Sequence, residues 1–314
     1  MNTAAMDPVL QKLTLAIPIY NEGRYLREAI ESCLGQAGKI LLCDNASTDD
    51  SGEICARIAA EHPEVAHLRG ERNIGAFENF KAPLFDCETE YFCWIGGHDR
   101  IAPGYTLKLV KEMERDAGIA LAAGTIQHID EQGIDRKQRT CSTFLDAASQ
   151  SEPLDRLEAL ASHLRDCFIF HGVYRAAILR EAWFDQACLG FDRVTLFRVG
   201  AIGKIAYVPE ALIYGRDFPK DRDSKQDRER RSQVIAAESA KPLSTSNFTR
   251  NQQLILTTLA QATDDRSLSR ALAIVDKIKR RQVERRKCQR QRLLRALGAL
   301  LIIAAFVILL IFRP

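Results

Sequence analysis

The chain has 314 residues, 46% of them apolar, and a net charge of +3. That length suits one large domain with an appendage or two small domains, with enough apolar residues for a sizeable core. The charge is uneven: residues 277–295 hold ten Lys and Arg against Glu284, a local +9 that leaves −6 for the rest and argues against a nucleic-acid-binding surface on the body.

Taken in chain order, short apolar runs at 13–19, 40–43, 65–68, 91–95 and 119–123 predict strands. The stretches between them, 24–35, 49–60, 74–85 and 103–116, predict helices. Ser47 or Asp49 can cap the second helix, and Pro103 suits the first turn of the fourth. Strands alternating with helices of this length imply right-handed crossovers and a mostly parallel sheet. Residues 131–152 read as an irregular polar stretch. A helix-like segment at 153–165 leads into a strand-like 167–174, then segments at 176–184 and 192–200, then a hairpin-like 204–214.

Beyond that, 217–231 is dense in both charge signs and reads as an exposed linker or solvated helix. Residues 232–292 are compatible with helix. Residues 296–312 are uncharged and apolar, and as a helix would span roughly 26 Å, the short end of the transmembrane range. The basic run directly before them places 277–295 on the cytoplasmic side, held by anionic lipid headgroups. The expected organisation is a domain over 1–216, a charged and basic linker over 217–295, and a membrane anchor over 296–312, with the body on the cytoplasmic side. The nine cysteines stand singly, with no C-x-x-C spacing, and read as reduced thiols rather than a disulfide or zinc framework. The N-terminus lacks a secretory pattern, so export of the body is not expected.

The ends of the first two strands carry the chemistry. In open α/β sheets ligands bind beyond the carboxyl ends of the strands. Pro18 stops the first ladder. Tyr20 can offer a flat face to a base, and Glu22 can accept from ribose hydroxyls. Asn21-Glu22-Gly23 is equally an ordinary turn. Asp44 ends the second strand and is left over once Ser47 or Asp49 caps the helix, so its carboxylate is available to an imide N–H such as that of uracil.

The motifs IPIYNE (17–22), LLCDNASTDDS (41–51), RNIGAFEN (72–79) and WIGGHDRIAPGY (94–105), with Leu26, Ile30, Ser32 and Gln36 on the intervening helix, resemble those of family 2 glycosyltransferases with the GT-A fold. The resemblance spans roughly residues 12–216. It implies an α/β fold with a mixed, mostly parallel sheet flanked by helices. It also implies a nucleotide-diphospho-sugar donor, usually UDP- or dTDP-linked, and an acceptor hydroxyl on a saccharide or lipid-linked saccharide. By that resemblance Pro18, Tyr20, Glu22 and Asp44 line the nucleotide site, and Asn73 and Gly75 close the base and ribose pocket.

The chain departs from the family at Gly96-Gly97-His98-Asp99, where Asp-x-Asp-Asp usually binds Mg²⁺ or Mn²⁺. His98 and Asp99 with diphosphate oxygens can still suit Mn²⁺. Alternatively Arg100 or another cation steadies the diphosphate. Asp192, after Gly190-Phe191, falls where the family places its acceptor-activating base, with Asp185 and Asp166 as lesser candidates. Arg216 resembles the basic residue kept near the diphosphate. Two rival readings remain: a catalytically degenerate, membrane-tethered nucleotide-sugar binding module, and a nucleotidyltransferase, which would want a richer Gly and Lys/Arg loop than IPIYNEGRY.

Overall fold

The structure is a computed structural model that describes residues 6–139, 152–164, 167–185, 187–188 and 190–218, with Ser149 and Thr258. All of these lie in one compact unit, Met1–Thr263. The expected linker, basic segment and membrane anchor lie almost wholly outside the described residues, as does Asp166. Among the described residues no helix is long and apolar enough to cross a membrane.

After a 3-10 turn at Pro8–Lys12, β1 (Leu13–Ile19) and α1 (Gly23–Cys33) lead to β2 (Lys39–Asp44), α2 (Ser51–Glu61) and β3 (Val65–Arg69). Then come α3 (Ala76–Phe85), β4 (Tyr91–Trp94), β5 (Arg100–Ile101), α4 (Tyr105–Arg115) and β6 (Ile119–Ile129). β7 (Asp135–Arg139) and α5 (Pro153–His163) precede β8 (Val173–Arg175), and α6 (Ala176–Ala182), α7 (Phe191–Ile202) and β9 (Lys204–Arg216) complete the set. Among the described residues nine strands form one sheet in the order β3-β2-β1-β4-β8-β6-β9-β5, with β7 on β6.

The first four strands in that order pair in parallel. β8 then runs antiparallel to both β4 and β6, β5 antiparallel to β9, and β7 antiparallel to β6, while β6 and β9 are parallel. The sheet is therefore evenly mixed, which corrects the expectation of a mostly parallel one. The periodic βα units are confined to the first half, and only there does alternation report direction. Every residue of β1 is buried, as expected of a strand covered on both faces. Leu13, Leu15, Ile17 and Ile19 share one core with Leu26 and Ile30 of α1, Leu109 and Val110 of α4, and Ile126 and Ile213 of the second half.

Other expectations need adjusting. Residues 204–214 are not a hairpin but part of one long strand. Between Gly124↔Val208 and Thr125↔Leu212 the register with β6 slips, so Pro209-Glu210-Ala211 bulges out of β9. Thr125 Oγ1 donates to the Pro209 carbonyl at 2.8 Å and fastens the bulge. A β-bulge carries the same turn-like residues as a hairpin tip, so sequence alone does not separate them. The strand-like 167–174 is a 3-10 turn, Phe168–His171, before a short strand. β7 lies inside the stretch read as irregular. Asp50, not Ser47 or Asp49, is the N-cap of α2. α4 starts at Tyr105 after Gly104 at φ 75°, so Pro103 precedes it.

Gly124 is where the bulge crosses β6: a Cβ there would stand 2.1 Å from the Ala211 carbonyl oxygen, backbone that cannot swing away. Gly124→Ala is expected to cost about 1–3 kcal/mol of stability, as overpacking does. Urea unfolding checks this, with a lower midpoint at unchanged slope.

Candidate functional site

The carboxyl ends of β1 and β4 open into a cleft of about 260 Å³. Pro18, Tyr20, Glu22 and Asn45 border it on one side, and Gly96, Gly97, His98, Asp99 and His171 on the other, with Asn79 and Phe80 of α3 between.

The loop after β1 is tied to the loop after β2. Asn21, at φ 56°, donates its N–H to Ser47 Oγ, and its side-chain Oδ1 accepts from the Thr48 N–H. The Glu22 N–H donates to Ser51 Oγ and the Gly23 N–H to Asp49 Oδ2. Asp49 Oδ1 accepts from the Ser51 N–H. Burial works against the Asp49 carboxylate, yet these hydrogen bonds hold its pKa below the ordinary value. One carboxylate thus serves the first turns of both α1 and α2, where negative charge is favoured. Asn45, a residue the sequence reading passed over as part of a turn, accepts from the Ile74 N–H and donates to Asn73 Oδ1. Asn73 Oδ1 also accepts from the Gly75 N–H. Asn73 and Gly75 therefore act as the brace behind Asn45, and neither lines the cleft.

Asp44 is fully committed inside the protein. Its Oδ1 accepts from the Ser47 N–H at 2.8 Å and its Oδ2 from the Arg69 guanidinium at 2.8 Å. Its side chain is 0% exposed and it does not border the cleft. Asp44 is thus placed to hold Arg69 and the Ser47 turn, instead of meeting a base directly as expected.

Arg216 and Arg100 also differ from expectation. The Arg216 N–H donates to Asp99 Oδ1, its Nε to the His98 carbonyl, its Nη1 to the Asp130 and Glu131 carbonyls, and its Nη2 to Glu28 Oε2. The side chain is 2% exposed and lies over the Tyr25 ring. Arg100 pairs with the other oxygen of Glu28, donates to the Gly133 carbonyl and covers the Tyr214 ring. Neither guanidinium reaches the cleft. Both clamp the turn after β4 from behind, and Glu28 of α1 holds the pair.

That turn presents His98 and Asp99. His98 Nδ1 meets Glu22 Oε1 at 3.0 Å. Burial opposes charge on the imidazole, but the Asp99 carboxylate and the Glu22 hydrogen bond outweigh it and raise its pKa to about 9. Asp99 is 3% exposed, and its Oδ2 looks toward the face of Gly96. Among the described residues no cluster of three or more His, Cys, Asp or Glu is placed to hold a metal. An ion such as Mn²⁺ or Mg²⁺ held at Asp99 would therefore take further ligands from diphosphate oxygens and water, as such ions do in phosphate-binding sites.

Asp192 is at the second position of α7, half-buried, with Gly190 as the N-cap. It does not border the cleft. Its neighbour Phe191 packs edge-on against Phe80 and Phe170, which places the start of α7 one aromatic layer from the site. Asp185 is paired with Lys81 at the surface, away from this layer. His171, missed in the sequence, sits where an apolar run gave no hint of a polar role.

A model of the family described as glycosyl transferase family 2 matches residues 14–186, more than half of the chain. The chain belongs to that family. It is 30% identical over 123 residues to glycosyltransferase GlyG of Streptococcus pneumoniae, covering 38% of this chain and 40% of GlyG. It is 28% identical over 125 residues to the chondroitin synthase of Escherichia coli, covering 38% of this chain and 18% of that protein. The match thus spans less than half the length of these relatives. Among solved structures, S. aureus TarS 1–349 in complex with UDP superposes with a TM-score of 0.60 at 14% identity, covering 87% of this chain and 72% of that one. The same protein with UDP-GlcNAc gives 0.59 at 15% identity, with 85% and 71% covered. These likenesses establish the GT-A type of α/β fold.

The His98 pKa lies above the ordinary 6.5, so its interactions with Asp99 and Glu22 add stability that is whole below about pH 6.5 and is lost as pH rises through about 9. Nitrogen-detected NMR titration of His98 is expected to show a midpoint near 9, falling toward 6.5 in Glu22→Gln. An unchanged midpoint in that variant would contradict the pairing.

Proposed function

We propose that the protein transfers a sugar from a nucleoside-diphospho-sugar, with UDP favoured over dTDP, to an acceptor hydroxyl. The observation that carries this reading is the cleft beyond the ends of β1 and β4. Its nucleoside side is built from the first motif (Pro18, Tyr20, Glu22) and from Asn45, and its other side from a glycine pair that lets a ligand approach backbone closely. The fold likeness to a protein solved with UDP and with UDP-GlcNAc supports the choice of donor.

The reaction is a single in-line displacement at the anomeric carbon with inversion. Asp192 takes the proton of the attacking hydroxyl, supported by its place at the start of α7 beside the Phe80–Phe191 contact. A carboxylate is a weak base at neutral pH, so positioning and stabilisation of the departing diphosphate supply most of the rate. The basic 277–295 and the apolar 296–312 support a C-terminal tether on the cytoplasmic side of an anionic membrane. A lipid-linked saccharide or a growing envelope or extracellular polysaccharide is the acceptor that such a tether would serve.

Calorimetric titration with UDP, dTDP, GDP and ADP tests the donor. UDP is expected to bind best, and equal weak binding of all four would overturn the reading. In Asp192→Asn, transfer is expected to fall at least about a hundredfold, the scale of a lost general base, while UDP affinity stays unchanged. Retained turnover would move the base elsewhere.

A further inference from the structure

Among the described residues bordering the cleft none is Lys or Arg, while Glu22 and Asp99 both border it. Glu22 faces His98 at 3.0 Å, and the two answer one another. Asp99 is held by a neutral group instead, its Oδ1 accepting the main-chain N–H of Arg216 at 2.8 Å. Its Oδ2 looks over the bare Cα of Gly96, where a Cβ would stand 2.7 Å away. A ligand that lies against Gly96 therefore meets a carboxylate oxygen first.

Two more side chains at the cleft are turned in the same sense by bonds to main chain. His171 Nδ1 lies 3.0 Å from the Trp94 carbonyl oxygen. A carbonyl only accepts, so Nδ1 carries the proton and, in the neutral ring, Nε2 carries the lone pair. That Nε2 lies 4.0 Å from Asp99 Oδ2, too far for a hydrogen bond between them. The spacing lets two hydroxyls on neighbouring carbons reach one atom each at about 2.7 Å. Asn79 of α3, 9% exposed, donates Nδ2 to the Cys43 carbonyl at 3.0 Å. Its amide nitrogen is thus turned to β2 and its amide oxygen away from it. Asp99, His171 and Asn79 each offer an acceptor whose direction is set before a ligand arrives.

Acceptors call for hydroxyls, and a carboxylate at neutral pH has no proton to donate. Two like charges brought together in a partly buried site also repel. Resting on the donor reading above, we propose that Asp99, His171 and Asn79 seat the sugar of the donor, and that this seat takes an uncharged hexose through its hydroxyls and rejects a uronic acid. The rejection resides in the charge of Asp99, and the grip on the hydroxyls is shared with His171 and Asn79. Such a seat discriminates well, because an acceptor stripped of water and left without its hydroxyl is costly. Gly96 lets the sugar ring approach the main chain closely.

The test is calorimetric titration of the purified chain, in one Mg²⁺ buffer, with UDP and with two matched pairs of nucleotide sugars. The pairs are UDP-glucose with UDP-glucuronate and UDP-galactose with UDP-galacturonate, whose members differ only in a hydroxymethyl against a carboxylate. In at least one pair the neutral sugar is expected to bind at least about tenfold more tightly than its uronate, the scale of a like-charge contact in a binding site. In Asp99→Asn, which keeps the oxygen that accepts from Arg216, that gap should close because the uronate gains. In His171→Phe the neutral hexose should lose what it adds over UDP alone, while the affinity for UDP is kept, which also reports a folded protein. Uronates that bind wild type as tightly as their neutral partners, or a gap that persists undiminished in Asp99→Asn, overturn the proposal. So does a His171→Phe variant that holds the hexose as wild type does. Sugars that make no difference to UDP affinity overturn the seat and leave the donor reading standing. Failure to bind UDP at all overturns the donor reading itself, and the sugar seat falls with it.

Discussion

The site depends on Arg216. It ends β9, the last strand, and with its main chain and side chain it grips Asp99, the His98 carbonyl, the Asp130–Glu131 turn and Glu28 of α1. Buried guanidinium groups are costly unless their donors are used, and here all three nitrogens are. The same carboxylate of Glu28 holds Arg100. The turn after β4 is thus fixed by elements from the start, middle and end of the domain. A cleft floor built this way keeps its shape without a ligand, which is what electrostatic preorganisation requires.

The two sides of the cleft are built by different means. On the side of Pro18 and Tyr20 the strand-end loops interlock through short side-chain-to-backbone bonds, with Asn21, Ser47, Asp49 and Ser51 each doing part of the work. On the side of the turn after β4 the clamp is ionic and long-range. The first side is local in sequence, and the second joins residues 188 positions apart.

That difference explains what was legible beforehand. Strands β1–β4 and β6 and the first four helices follow from apolar periodicity, and their observed bounds lie within a few residues of those expected, apart from β6, which runs on to Ile129; the two-residue β5 was not expected. Tyr20, Glu22, His98 and Asp99 follow the ends of strands, where the sequence directs attention, and Pro18 lies inside β1, paired with Cys43 rather than stopping the ladder; all five border the cleft. Asp44, Arg100 and Arg216 have the residue types expected of a nucleotide site, but Asp44 is spent on Arg69 and the Ser47 turn, and the two arginines on Glu28 and the turn after β4. Charge pairing across the chain leaves no mark in local sequence. His171 was hidden for the opposite reason: it lies in an apolar run, and only the antiparallel pairing of β8 with β4 brings it beside Asp99. The bulge in β9 was misread because Pro209 and Glu210 suit a turn as well as a bulge.

The cleft, rather than any single residue, is the proposed donor site. A crystal structure of the protein grown with UDP tests this most directly. The account predicts the uracil and ribose along Pro18–Tyr20 and Asn45, with the diphosphate over Gly96-Gly97 and within reach of Asp99. A nucleotide bound elsewhere, or a diphosphate pointing away from the turn after β4, would contradict it.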